Sequence, residues 1–191
     1  MEERTRRLKL QMQISIDGMV AAQKGKTFFN WDDEVRRYSI ANAANADCIL
    51  LGRKTAMGFI PHWKSVADNP KDADFEIGKV ITDIPKVVFS RTLHKSEWPN
   101  ASIANGEIVD SVNQLKQQTG KDLLVYGGTS FVASLIGHNL IDEYHLLVNP
   151  VALGSGQTIF SSLADTLRLN LVFNRAFSCG TVLLHYESIR D

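Results

Sequence analysis

The chain has 191 residues, of which 44% are hydrophobic and 22% charged. These proportions fit one globular domain spanning 1–191 and exclude a disordered chain. Its 21 Lys and Arg balance its 21 Asp and Glu, so net charge gives no reason to expect nucleic acid or an anionic membrane as a partner. Met1 to Lys9 is charged and lacks the apolar run of a signal peptide, and no stretch approaches the roughly 20 apolar residues of a membrane span. A cytoplasmic protein is the expectation.

Leu8 to Ile16 reads as a strand, with Leu8, Leu10, Met12, Ile14 and Ile16 apolar at period two. Asp17-Gly18 then marks a turn. Phe28 to Trp31 is a short aromatic stretch before a helix. Asp32 suits its N-cap, and Asp33 and Glu34 suit the positive end of its dipole. Val35, Tyr38, Ala41 and Ala44 give that helix one apolar face. Cys48 to Leu51, ending at Gly52, is a continuous apolar run of the kind buried in parallel sheets. Ile60 to Asp83, with Pro61 and Pro70, reads as a loop followed by a short helix around Ala73 to Ile81.

Lys86 to Ser90 and Asp122 to Tyr126 are two more buried strands, the second ending at Gly127-Gly128. Between them Asp110 to Thr119 is helical, with Val112 and Leu115 inward and Gly120 as a stop. Thr129 to Ile136 is a helix burying Phe131, Val132, Leu135 and Ile136. Tyr144 to Val148 is a strand closed by Pro150. Leu167 to Phe177 and Thr181 to Tyr186 are strands joined at Cys179-Gly180. Strand and helix alternate, then two strands finish the chain. The order implies an α/β fold with a mostly parallel central sheet and a C-terminal antiparallel strand pair.

Cys48 and Cys179 form no CxxC pair and read as reduced thiols. His62, His94, His138, His145 and His185 show no ligand spacing. No metal site is expected.

Three apolar strands end in small or basic residues: Gly52-Arg53-Lys54-Thr55, Ser90-Arg91-Thr92 and Gly127-Gly128-Thr129-Ser130. Ligands of open α/β sheets gather at the carboxyl ends of strands. Glycine lets backbone approach a ligand, a helix start offers free N–H groups to an anion, and arginine and lysine add positive charge. Each signal is weak alone, but strands of one sheet deliver all three to one rim. The common nucleotide fingerprints are absent: no GxGxxG joins a strand to a helix, and there is no GxxxxGK[ST]. In the 150–156 segment, Pro150, Gly154 and Gly156 suit a chain that approaches a ligand.

These segments resemble a known superfamily. Gly52-Arg53-Lys54-Thr55 resembles the GR[HK]T segment of dihydrofolate reductases, and Val125-Tyr126-Gly127-Gly128 their VIGG turn. Val88-Phe89-Ser90-Arg91 resembles their next cofactor-contacting strand end. Ile14 to Ala21, Leu140-Ile141-Asp142-Glu143 and Pro150 to Gly156 are similar to the SLDGxIA, LVDE and P-x-x-LGxG segments of a sister group. That group is the reductase domain of the bifunctional riboflavin-pathway deaminase-reductase and its stand-alone relatives. The similarity runs from about Leu8 to Tyr186.

The resemblance implies a dihydrofolate-reductase-like three-layer fold and an NADPH-dependent oxidoreductase. Arg53, Lys54, Thr55, Ser90 and Arg91 would take the 2′-phosphate side of the cofactor and part of its diphosphate, next to Gly52. Gly127, Gly128, Thr129 and Ser130 would cradle the diphosphate. Asp17, Trp31, Pro150 and Gly154 would flank a small heterocyclic substrate, with Asp33 or Glu34 as candidate proton donors. The closest analogy is the 5-amino-6-(5-phosphoribosylamino)uracil reductase of riboflavin biosynthesis. A dihydrofolate or pterin reductase, and an NADP(H)-binding protein without catalysis, are the alternatives. A homodimer is implied by the same likeness. The chain departs from the riboflavin-pathway group where Tyr126 stands in place of a glutamate, and its Ala67-Asp68-Asn69-Pro70 is offset from that group's ADDP. It also lacks the zinc deaminase's HxE and PCxxC ligands.

Overall fold

The computed structural model describes residues 5–24 and 29–189. Phe28 of the aromatic stretch and Met1 to Arg4 of the charged N-terminus lie outside the described residues. In chain order the elements are β1 (Leu8–Ser15), β2 (Ala21–Ala22), α1 (Asp33–Ala44), β3 (Ala46–Gly52), α2 (Arg53–Ala67), α3 (Phe75–Asp83), β4 (Lys86–Phe89), β5 (Ala101–Ala104), α4 (Ile108–Gln117), β6 (Asp122–Val125), α5 (Thr129–Gly137), β7 (Glu143–Asn149), β8 (Gly156–Gln157), β9 (Leu169–Ala176) and β10 (Val182–Ser188). They fall into two compact units. Among the described residues, one holds Arg36–Gly128 with Arg6, and the other holds those of Arg7–Val35 and of 129–189.

In the first unit four strands run parallel in the order β5-β4-β3-β6. Ile49, Leu50, Leu51, Leu123, Leu124 and Val125 are all at 0% exposure, so β3 and β6 are covered on both faces, as apolar parallel strands must be. Each such side chain contributes about 1.5–3 kcal/mol relative to the exposed state. Arg6 fastens the N-terminal chain to this unit, donating to the Lys121 carbonyl at 2.5 Å and pairing with Asp47.

Two elements here depart from the sequence reading. The region read as a loop from Ile60 begins inside α2, which runs through Pro61 to Ala67. Proline removes one backbone donor. Ala56, Ile60 and Val66 nevertheless form a buried stripe, and Gly78 of α3 lets the two helices touch: a Cβ there would lie 2.7 Å from Val66. Packing outweighs the lost hydrogen bond. β5 went unread because its four residues, Ala-Ser-Ile-Ala, are short, mixed and only partly buried.

In α1 the buried positions are Val35, Ser39, Asn42 and Ala43, whereas Ala41 and Ala44 are exposed. The helix is therefore rotated from the expected face, with two polar side chains inward. Asp32 does cap it, its Oδ1 accepting the Val35 N–H at 2.9 Å.

In the second unit β1 pairs with β7 in parallel, while β10 runs antiparallel to both β7 and β9. Ile16, expected inward, lies beyond β1 and is 65% exposed. The short strands β2 and β8 pair antiparallel. Gly156 belongs to this contact: a Cβ there would lie 2.1 Å from the Ala21 carbonyl. Its smallness serves a backbone-to-backbone approach within the chain, not the ligand approach expected of it. Helix α5 buries Val132, Ala133, Leu135 and Ile136. The architecture is the expected one: α/β, mostly parallel, with an antiparallel strand pair at the C-terminal end.

Candidate functional site

Register decides which of the predicted residues meet. Gly52 lies opposite Phe89, and Leu50 opposite Val125, so the tips of β4, β3 and β6 are neighbours in the first unit. That places Gly52, Arg53, Lys54, Thr55, Ser90, Arg91, Gly127 and Gly128 at one end of its sheet. Helix α2 starts there at Arg53, behind Gly52, which gives it no side-chain cap. Its first N–H groups therefore lack the partner that a Ser or Asp cap would supply. Arg53 reaches Met57 sulfur at 3.8 Å, and none of Arg53, Lys54 and Arg91 forms an ion pair among the described residues.

Gly128 adds shape to this charge. A Cβ on it would lie 2.5 Å from Thr55 Oγ1, so the β6 tip presses against the first turn of α2 where only hydrogen fits. Ser90 has a job of its own: its Oγ accepts the N–H groups of Thr92 at 3.2 Å and Leu93 at 2.9 Å, shaping the loop that carries Arg91. Thr129 and Ser130 open α5 in the second unit.

The sequence gives Tyr126 as a strand end and as a departure from the riboflavin-pathway group, with no role of its own. It sits one residue before the glycine pair and stacks on Phe59 at 5.7 Å. Its hydroxyl is buried with no hydrogen-bond partner among the described residues, and burial pushes its pKa up, so the phenol stays protonated. A buried unpaired hydroxyl at a strand tip is a signal that a lone sequence hides.

The second unit gathers Asp17, Pro150 and Gly154. Asp17 accepts the Ser15 hydroxyl and the N–H groups of Leu153 at 3.1 Å and Gly154 at 2.7 Å. These bonds, led by Ser15, hold its pKa down to about 2. Glu34 is equally committed. It accepts from Ser178 Oγ at 2.6 Å, Ser178 N–H at 2.7 Å and Arg175 at 3.0 Å, which lowers it to about 2, the Ser178 hydroxyl contributing most. A carboxylate so held is a poor proton donor at neutral pH. Asp33 is exposed on the first turn of α1, and Trp31 is half-buried just before it.

Asn149 lies in the stretch that the resemblance sets beside the substrate, though the sequence does not single it out, and it directly precedes Pro150. It ends β7 at 1% exposure. Its Oδ1 accepts the Asn30 N–H at 2.7 Å and the Thr181 hydroxyl at 3.3 Å, and its Nδ2 donates to Gln13 at 2.9 Å and the Leu147 carbonyl at 3.1 Å. The signal was an amide ending an apolar strand directly before Pro150.

The sequence profile of the RibD C-terminal domain matches residues 6–183. The chain belongs to that family. The uncharacterized protein YyaP of Bacillus subtilis (strain 168) is 32% identical over 188 residues, 95% of each chain. A structure from Shewanella sp. PV-4, provisionally designated a riboflavin biosynthesis protein, superposes with a TM-score of 0.75 at 20% identity over 96% of this chain and 99% of that one. The Thermotoga maritima diaminohydroxyphosphoribosylaminopyrimidine deaminase/5-amino-6-(5-phosphoribosylamino)uracil reductase gives 0.69 at 17% identity, over 97% of this chain and 57% of that one. As a RibD C-terminal domain, the chain has a riboflavin-biosynthesis-type reductase fold, matching the dihydrofolate-reductase-like expectation. Among the described residues, no helix is long and apolar enough to cross a membrane.

Proposed function

We propose that this protein is an NADPH-dependent oxidoreductase acting on a small pyrimidine- or pteridine-like ring, with the phosphoribosylaminouracil reduction of riboflavin biosynthesis as the nearest chemistry. The observation that carries the reading is the rim of the first unit. Arg53, Lys54 and Arg91 without acidic partners among the described residues, the uncapped start of α2 and the close approach of Gly128 to Thr55 together suit a phosphorylated dinucleotide. Arg53 and Arg91 bind the 2′-phosphate, Lys54 and the α2 N–H groups the diphosphate, and Gly127-Gly128 the diphosphate's other side. NADPH supplies the hydride when bound; the protein supplies position and electrostatics. By residue likeness Thr129 and Ser130, at the start of α5, are further candidates for binding the diphosphate. Asp17, Trp31, Pro150 and Gly154 shape the substrate side, Asp17 by holding the backbone of Leu153 and Gly154. Residue likeness adds a homodimer to this reading, which sedimentation equilibrium checks.

A second reading, an NADP(H)-binding protein without turnover, is favoured by one observation: Glu34 is tied down as an ionised anchor. One experiment separates the readings. NADPH and NADH are titrated by fluorescence, and nicotinamide absorbance is then followed with 5-amino-6-(5-phosphoribosylamino)uracil in its oxidised ribosylated form and with dihydrofolate. Turnover with either ring supports the reductase. Tight NADPH binding with no turnover on any such ring supports the binder. Arg53→Ala and Arg91→Ala should each weaken NADPH about tenfold while leaving NADH within about twofold. Equal losses for both cofactors remove the 2′-phosphate assignment.

A further inference from the structure

The antiparallel register of β7 and β10 sets His145 directly opposite His185. The two rings stack, 4.2 Å between centroids and 18° apart. Glu143 precedes His145 by two residues and so shares its face of the strand. Its Oε2 lies 3.1 Å from His145 Nε2 and 3.2 Å from His185 Nε2. One oxygen and two imidazole nitrogens therefore lie within 4.8 Å of one another, all inside the second unit. His185 Nε2 is buried and has no hydrogen-bond partner by geometry among the described residues.

We infer that Glu143, His145 and His185 form a binding site for a zinc-class divalent cation, bridging β7 and β10. Zinc takes imidazole nitrogen and carboxylate oxygen at about 2.0–2.2 Å in a tetrahedron, which sets ligand atoms a little over 3 Å apart. Both carboxylate–imidazole separations already match. The remaining adjustment is to turn the stacked rings so that their nitrogen lone pairs converge. His185, 18% exposed, has the freedom to do so and gives the ion its way in. Two nitrogens in the set select Zn²⁺, Ni²⁺ or Cu²⁺ over Mg²⁺ and Ca²⁺, which prefer oxygen.

Surrounding charge does not oppose the ion. Arg7 sits 3.0 Å from Glu143 Oε1 and Lys9 3.9 Å from Oε2. Against these two cations stand three carboxylates: Glu143, Glu187, which takes Arg7 at 2.7 Å, and Asp142, which accepts the Leu8 N–H. With neutral imidazoles the patch is net negative by one charge. Arg7 occupies the carboxylate oxygen that faces away from the histidines, the position from which an outer partner orients a metal-binding carboxylate. Three protein ligands leave the fourth position to water.

The test uses the full chain without a histidine tag, stripped by chelator dialysis. ZnCl₂ is titrated calorimetrically, CoCl₂ by visible absorption, and melting is followed with and without ZnCl₂. The expected result is one equivalent of Zn²⁺ bound, tetrahedral-type cobalt absorption, and a rise in Tm of about 4 °C on saturation. His185→Ala should weaken Zn²⁺ at least about tenfold and abolish the Tm rise, and His145→Ala should do the same where it folds. His94→Ala and His138→Ala, at exposed positions, serve as controls and should leave binding unchanged. Absence of stoichiometric binding, or binding that His185→Ala leaves intact, overturns the site. Neither result touches the NADPH reading, which rests on the other unit.

Discussion

The two units treat their charges in opposite ways. At the β3–β4–β6 tips of the first, Arg53, Lys54 and Arg91 have no acidic partner among the described residues. In the second, Asp17 and Glu34 are surrounded by donors from their own chain. Neighbouring positive groups without partners repel one another, and under the proposed function an anion from outside relieves that repulsion. Carboxylates already satisfied are framework. The difference separates charged groups left open to a ligand, as the proposed function has them, from charged groups already engaged within their own unit, a distinction that residue type alone does not make.

The sharpest way to break this comparison is at Gly128. Gly128→Ala pushes a methyl into Thr55 Oγ1. It should lower stability by about 1–3 kcal/mol and weaken NADPH at least about tenfold. Adding Thr55→Ala removes the atom struck, so the double variant should recover most of the melting temperature. If Gly128→Ala binds NADPH like the parent protein, the tight contact is packing and not part of a cofactor cradle.

Not every cation of the first unit is unpaired, and Lys86 sharpens the contrast. Its Nζ donates to the carbonyls of Ile81 at 2.5 Å and Thr82 at 2.7 Å, closing the C-terminus of α3. Burial pulls its pKa down to about 8. Lys86→Met leaves those carbonyls without their charged donor and should cost about 1–2 kcal/mol, read by urea denaturation at pH 7. The sign of its pH effect follows from the lowered value. Between about 8 and the ordinary 10.5 the unfolded chain holds more protons on this group than the folded one, so its contribution to stability rises with pH there. Lys86→Met should flatten that rise. Unchanged alkaline melts would mean the ammonium is better solvated than its surroundings suggest.

Much of this was legible in the residues. Apolar runs announced β3, β6 and β7, because strands buried on both faces cannot hide their composition, and Val87-Val88-Phe89 announced the half-buried β4. The clustering of Gly52, Arg53, Ser90, Arg91 and Gly127-Gly128 at one end of a sheet was legible too, since small and basic residues ended three such runs. Pro61 concealed α2, and β5 was too short and mixed to register. The roles of Asp17 and Glu34 were illegible for a different reason. Their partners, Gly154 and Ser178, lie more than a hundred residues away, and only register and loop closure bring them together. The His145–His185 pair is the same case, as no spacing along one strand predicts a partner on another.

Glu34 and Asp17 give the gentlest test, and their signs agree. Both pKa values are depressed, to about 2 from ordinary values of 4.5 and 3.8. The stability they contribute is complete above the ordinary values and is lost as pH falls through that window toward 2. Glu34→Gln should therefore flatten the acid side of the stability profile while leaving the neutral side nearly parallel to the parent. As framework, it should also keep kcat within a few-fold and leave the pH–rate profile unmoved. A collapse of kcat with loss of one limb of that profile would make Glu34 a proton donor after all, and would return the second unit's acids to the chemistry from which their hydrogen bonds now exclude them.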